Sequence, residues 1–251
     1  MKVFKYLLAY FKRFSAKHGY TCDNCGREIF DYPTHRICEE CENALVFNVD
    51  ARCEKCGRKT PVVGVCLNCK SKPPVYKRGF SPLVYKGGTS KLINRFKNGR
   101  QRLGFYLGEL MAKSVLENVP KTETLYLLPV PLSPDRLQAR GYNQAQTLAL
   151  GMQSTLQENG YTAEIRCDIL TAKSAPAQKH LSYAERKRQA EQRYRVQDKL
   201  GCKDKTFLLV DDILTTGATG NACAEKLLTY GAKDVYFATA CAVPDELTNK
   251  L

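Results

Sequence analysis

The run Leu208-Leu209-Val210-Asp211-Asp212-Ile213-Leu214-Thr215-Thr216-Gly217-Ala218-Thr219 joins an apolar strand to two carboxylates and then to a hydroxyl-rich loop containing a glycine. Residues 207–210 have the length and composition of a strand buried on both faces, as in a parallel sheet. From Gly220 the register changes: Ala222, Ala224, Leu227 and Leu228 recur at helical spacing, and Gly231 supplies the stop. The loop therefore lies between a strand's carboxyl end and a helix's amino end, where unpaired N–H groups and the helix dipole favour an anion. Thr215, Thr216 and Thr219 add hydroxyl donors, and Gly217 lets the backbone approach a ligand without a Cβ in the way. Adjacent strand residues point to opposite sides, so Asp211 and Asp212 need not do the same job, and one of them can accept hydrogen bonds from ribose hydroxyls. This is the chemistry of a sugar-phosphate site. The bland alternative is a strand-loop-helix junction whose acids only cap the helix.

Eight of the twelve cysteines form four Cys-x-x-Cys pairs, Cys22/Cys25, Cys38/Cys41, Cys53/Cys56 and Cys66/Cys69. A two-residue gap lets two thiolates from one tight turn take adjacent corners of a tetrahedron, and Zn²⁺ with sulfurs at about 2.3 Å suits four of them. Gly26 and Gly57 each follow the second cysteine of a pair and allow the sharp turn of a zinc knuckle. Short separations between neighbouring pairs favour sequential pairing into two four-cysteine ribbons in tandem; an interleaved arrangement, with Cys22/Cys25 sharing a metal with Cys53/Cys56, stays open. Both metals would be structural, since a segment of this size with few large apolar groups needs one to fold. Disulfides are the competing use of so many cysteines, disfavoured by the nucleotide-type loop downstream. Cys167, Cys202, Cys223 and Cys241 are scattered and read as ordinary thiols. His18 and His35 lie near the ribbons, but four cysteines per site leave them no vacancy.

The formal charge of +14 is unevenly spread. No acidic residue occurs between Glu54 and Glu109, whereas Lys77, Arg78, Lys86, Lys91, Arg95, Lys97, Arg100 and Arg102 crowd into one part of that gap. Two readings stand side by side. Lys91, Arg95, Lys97, Arg100 and Arg102 can form a footprint for single-stranded nucleic acid, with Tyr76, Phe80, Tyr85, Phe96, Phe105 and Tyr106 available for base stacking. Equally, the aromatics can be core and the charges a solvated face plus a diphosphate pocket.

Leu125-Tyr126-Leu127-Leu128-Pro129-Val130-Pro131-Leu132-Ser133 reads as a buried strand ended by two prolines, after which Arg136, Arg140, Gly141, Tyr142, Asn143 and Gln144 follow. In an open α/β sheet that end faces the ligand crevice, and arginines there suit a diphosphate. Asn143 through Met152 reads as a helix with Ala145, Leu148, Ala149 and Met152 on one face. In Gln178-Lys179-His180-Leu181-Ser182-Tyr183-Ala184-Glu185-Arg186, Ser182 and Glu185 have the spacing of a capping box, and His180 reads as a surface histidine.

With 43% apolar residues the chain can bury a sizeable core, and no apolar run approaches the about 20 residues of a membrane span. The first fourteen residues are apolar in patches interrupted by Lys5 and Lys12, without a cleavage site, which predicts a basic amphipathic helix rather than a signal peptide, its apolar face packed on the protein itself or, alternatively, on a membrane surface. The expected organisation is a leading helix over 1–19, a double zinc ribbon over 20–72 and a larger α/β domain over 73–251.

The segment from Val210 to Thr219 resembles the phosphoribosyl-diphosphate (PRPP) signature of type I phosphoribosyltransferases. Together with the cysteine pairs, Arg95-Phe96-Lys97-Asn98-Gly99, Pro129-Val130-Pro131, Arg140-Gly141-Tyr142-Asn143-Gln144 and the 178–186 segment, it is similar in order and content to the ComF family of phosphoribosyltransferase-like proteins. The resemblance implies a type I phosphoribosyltransferase fold, an open and mostly parallel sheet with flanking helices, carrying an amino-terminal zinc module. It implies that Asp211 and Asp212 are the catalytic pair holding the ribose hydroxyls. Thr215, Thr216, Gly217, Ala218 and Thr219 would cradle the 5-phosphate, and Arg136 and Arg140 would meet a diphosphate neutralised by Mg²⁺. It further implies a cytoplasmic bacterial protein acting on single-stranded DNA during natural transformation, beside a ComFA-like helicase and a DprA-like recombination mediator, without membrane insertion. Gln189 stands where the family often has Asn, and Tyr194 where Phe is usual. No general base for an acceptor is identifiable, so three readings follow: a PRPP-binding transferase, a non-catalytic DNA adaptor that keeps the pocket as a sensor, and a metabolic transferase without a DNA role.

Overall fold

The computed structural model describes residues 20–29, 35–49, 51–116, 118–121, 123–174 and 193–244. The leading helix expected over 1–19 and the 178–186 segment, with its capping box and His180, lie outside the described residues, as does Gln189. In chain order the elements are β1 Tyr20–Thr21, β2 Glu28–Ile29, α1 Glu39–Asn43, α2 Leu67–Ser71, β3 Arg78–Phe80, β4 Leu83–Val84, α3 Gly87–Lys97 and α4 Leu103–Val115. They continue with β5 Leu125–Pro129, α5 Pro134–Arg140, α6 Gln144–Glu158, β6 Ala163–Ile165, β7 Leu170–Ala172, β8 Tyr194–Val196, β9 Thr206–Leu214, α7 Ala218–Thr229 and β10 Asp234–Ala242.

The central sheet runs β3-β10-β9-β5-β6, with β4 pairing β10 beyond β3, and every pairing in it is parallel. Parallel strands need both faces covered, and the period-two alternation of β9 supplies both. Leu208 and Val210 join the apolar cluster that holds Leu107 and Met111 of α4 and Leu148 and Met152 of α6. Phe207 and Leu209 join the opposite cluster, with Ala222, Cys223 and Leu227 of α7. Thus α4 and α6 cover one face and α7 the other, which is the flanked, open sheet that the sequence predicts.

β9 outruns its apolar stretch. It continues through both aspartates to Leu214 because β10 supplies partners that far, Thr239 opposite Asp211, Cys241 opposite Ile213 and Ala242 opposite Leu214. The following helix begins at Ala218, two residues before the change of hydrophobic register, with Gly217 at its amino cap in the left-handed region at φ +78°. The helix predicted from Asn143 starts at Gln144 and extends to Glu158; Asn143 is its cap, accepting from the Ala145 N–H at 3.1 Å.

The two cysteine modules differ in depth. Cys53, Cys56, Cys66 and Cys69 are buried in the same cluster as Phe207 and Leu209, whereas Cys25 of the first module is exposed. The second knuckle lies backbone against backbone on β3: the Gly79 N–H donates to the Lys55 carbonyl at 2.7 Å. A Cβ at Gly57 would come within 2.5 Å of the Gly79 carbonyl oxygen. Asn48 locks this seam, its amide donating to the carbonyls of Gly57 and Ser81, both at 2.8 Å.

Candidate sugar-phosphate and metal sites

The carboxyl end of β9 carries Asp211 and Asp212 side by side, and the pleat sends them to different neighbours. Asp212 Oδ2 lies 3.0 Å from Lys97 Nζ at the end of α3. Asp211 Oδ1 accepts from the Asp212 N–H at 2.9 Å. Burial, and next the Asp212 carboxylate, push the Asp211 carboxyl up to about 7, against the pull of that N–H and of the Lys97 and Arg140 charges. Arg136, Arg140 and Arg193 gather close enough for their charges to interact, and together with burial Arg193 and Arg140 lower the Arg136 guanidinium from its usual range. The field of Asp211 also reaches Arg136. Three guanidiniums beside two carboxylates are a strong anion-binding arrangement.

The loop that follows is held from several sides. The Thr216 hydroxyl accepts from the Ala218 N–H at 3.4 Å, Thr219 hydrogen-bonds with the buried Tyr194 of β8, and the Thr215 carbonyl accepts from Arg58 Nη2 at 2.6 Å. Thr215, Thr216, Gly217, Ala218 and Thr219 thus frame the amino end of α7, where an oxyanion is favoured. The Arg140-Gly141-Tyr142-Asn143-Gln144 run is largely self-organising. Arg140 donates to Gln144 Oε1 at 2.9 Å, Tyr142 donates to the Phe96 carbonyl, and the Asn143 amide holds the Val130 carbonyl at 3.1 Å. These contacts bind the ends of β5, α3 and α6 into one rim around the aspartates.

The thiols of Cys22, Cys25, Cys38 and Cys41 lie within 4.8 Å of one another, as do those of Cys53, Cys56, Cys66 and Cys69. Pairing is therefore sequential, and the interleaved arrangement is ruled out by geometry. The Sγ separations of 3.7 Å for Cys25 and Cys38 and 3.8 Å for Cys56 and Cys66 match the edge of a tetrahedron with about 2.3 Å arms. Backbone N–H groups point at the sulfurs, Cys38 to Cys22 Sγ and Cys66 to Cys53 Sγ, each at 3.3 Å. At Cys22, burial opposes ionisation, yet the N–H donors of Cys25, Cys38 and Asn24 outweigh it and bring the thiol down to about 7. Each tetrad could hold a zinc ion.

The basic run is dispersed over different duties. Arg95 Nη1 donates to the Asn24 carbonyl at 2.7 Å and to its side-chain oxygen at 3.0 Å, fastening the first knuckle to α3, and Lys97 serves Asp212. Lys91, Arg100 and Arg102 are exposed. Of the six aromatics expected for stacking, Tyr76, Phe80, Phe96 and Tyr106 are buried and belong to the core; Tyr85 is half-buried and Phe105 is 51% exposed. The core reading therefore holds for four of them. Cys167 is exposed, and Cys202, Cys223 and Cys241 are buried. Sequence reasoning missed Arg58 and Arg193. Among the described residues Arg193 Nε is buried without a hydrogen-bond partner at the head of β8, a spare donor that the Arg-Tyr-Arg-Val alternation of residues 193–196 could have flagged.

Residues 143–250 match the phosphoribosyl transferase domain family, in keeping with the parallel, helix-flanked sheet. The likeness extends well beyond that span, to homologues named as competence and DNA utilization proteins. It is 29% identical to the DNA utilization protein YhgH of Salmonella typhimurium, over 82% of this chain and 89% of that protein. It is 28% identical to competence protein ComFC of Streptococcus pneumoniae, covering 85% and 86%, and 25% identical to competence protein F of Haemophilus influenzae, covering 88% and 89%.

Proposed function

We propose that the protein binds Mg²⁺-PRPP at the carboxyl end of β9 and works in the handling of single-stranded DNA during uptake. One observation carries the reading: two carboxylates, three arginines and a threonine-rich loop at a helix amino end converge at the carboxyl end of a central strand of the parallel sheet. Asp211 and Asp212 accept hydrogen bonds from the ribose hydroxyls. Thr215, Thr216, Gly217, Ala218 and Thr219 take the 5-phosphate, while Arg136, Arg140 and Arg193 face the diphosphate, whose charge Mg²⁺ neutralises. Two zinc ions, one per tetrad, are structural and hold the 20–72 module, with 73–251 as the ligand-binding domain. The DNA role draws on the names of the competence and DNA utilization relatives and on the exposed Lys91, Arg100 and Arg102.

Calorimetric titration of the zinc-loaded chain with Mg²⁺-PRPP, with and without a short single-stranded DNA, tests the reading. Saturable binding is expected, with an affinity that the DNA alters. Absence of heat in both titrations would overturn the PRPP reading and leave a basic, zinc-bearing adaptor.

A further inference from the structure

Arg58 is 1% exposed and lies two residues past a cysteine of the second tetrad, yet it reaches 157 residues along the chain. Its Nε donates to Cys56 Sγ at 3.4 Å and its Nη2 to the Thr215 carbonyl at 2.6 Å. A guanidinium presents its donors in a rigid planar fork, so one side chain fixes the distance between a sulfur of the cluster and the first residue of the phosphate loop. Burying that charge is costly unless an anion faces it, and a four-thiolate zinc site carries net negative charge.

Thr215 is exposed, and its neighbours Leu214 and Thr216 line a cavity. This cavity of about 420 Å³ separates the loop from the second cluster, walled by Arg58, Lys72, Tyr76, Thr216 and Asn221. Directional contacts cross it: Arg58 to Thr215, and the Val75 N–H to Asn221 Oδ1 at 2.7 Å, which ties α7 to the chain leaving the cluster. The knuckle is itself immobilised on β3 by the Gly57 and Gly79 seam.

We propose that Arg58 is a positioning residue for the phosphate loop, coupling the second cysteine cluster to the sugar-phosphate site so that a metal in that cluster favours the phosphate-ready loop. Linkage makes the effect reciprocal, and a bound phosphate raises the metal affinity of the second cluster and leaves that of the first unaffected. The proposal rests on the reading of residues 215–219 as a phosphate loop, and its test includes a measurement that needs no ligand.

Hydrogen exchange of the zinc-loaded full chain is compared for the parent, Arg58→Ala and Arg58→Lys proteins. Arg58→Ala is expected to speed exchange in peptides covering 214–222 by about tenfold or more, as the loss of a charge-assisted hydrogen bond implies. Peptides covering 206–211 should be unchanged, with Arg58→Lys in between. Mg²⁺-PRPP affinity should fall by a similar factor while zinc content stays equal to the parent's. Unaltered loop exchange in Arg58→Ala, or equal loosening of the β9 peptides, would overturn the proposal. Should Arg58→Ala fail to fold, Arg58→Lys decides alone: loosening confined to 214–222 sustains the proposal, and parent-like exchange ends it. A parent protein that binds no PRPP refutes the functional reading, while loop exchange still judges Arg58.

Discussion

The Lys97 ammonium lies 3.0 Å from an Asp212 carboxylate oxygen, joining the end of α3 to the carboxyl end of β9. A residue that sequence places in a nucleic-acid footprint thus spends its charge on Asp212 of the candidate sugar-phosphate site. Asp212 owes its compensation to Lys97, and Asp211 feels the same cation at longer range.

Replacing Lys97 by Met removes a charge that favours ionisation of Asp211. The Asp211 carboxyl should then titrate higher than its present value of about 7. Carboxyl carbon shifts followed by NMR across pH 5 to 9 would register the change, and an unmoved midpoint would mean that Lys97 has no electrostatic reach to Asp211.

Asp211 also ties stability to pH. Its folded-state value of about 7 exceeds the unfolded value of roughly 3.9, so between the two the folded chain retains a proton that the unfolded chain has lost. Its contribution is fully present below the unfolded value and is lost as pH rises through the folded one, by about 2–4 kcal/mol. Asp211→Asn should gain thermal stability over the parent as pH goes from 5 to 8. Mg²⁺-PRPP binding by the parent should tighten over the same range, because the carboxylate form is the better acceptor for ribose hydroxyls. Melting curves and calorimetry at paired pH values check both statements.

Metal removal should proceed in two phases of about one zinc each, four thiolates per metal. The first tetrad, with Cys25 exposed, should lose its ion to a chelator before the second, whose four cysteines are all buried. A colorimetric zinc reporter under native conditions distinguishes two phases from one. A single phase would show that the clusters open together.

Charge reversal at Lys91, Arg100 and Arg102 should flatten the salt dependence of single-strand binding by about two units of slope, at roughly 0.7 per phosphate contact. Arg95→Glu should behave differently and loosen the first knuckle through its Asn24 contacts, a change visible as faster zinc loss. If the triple reversal leaves the salt slope intact, the exposed run is not the DNA footprint.

Much of the site was legible because its residues are contiguous. The alternation of β9, the aspartate pair, the threonine loop and the knuckle glycines each declare themselves within a few positions, and the structure places them as expected: Gly26 and Gly57 adopt φ of +79° and +75°. What the sequence hid depends on contacts across the fold. β9 reaches Leu214 because β10 offers hydrogen bonds there, not because its residues are apolar. Arg95 and Lys97 lie in one basic run yet serve different partners, Asn24 of the first knuckle and Asp212 of β9, and no local pattern separates them. Arg58 reads as one more cation in a basic ribbon until Thr215 is brought alongside it.

The backbone seam between the second knuckle and β3 has a consequence for the molecule's solubility. β3 is the outer strand of the sheet beside β10, and an uncovered outer strand is a template on which another chain can pair. The knuckle occupies that border through the Lys55 carbonyl and the glycine contact. A protein stripped of its second metal would therefore be exposed to sticking strand to strand with its own copies, and light scattering should rise as the deeper zinc leaves. The ribbon is in this sense a guard on the sheet's border, and chelation would turn a covered strand into a growing edge.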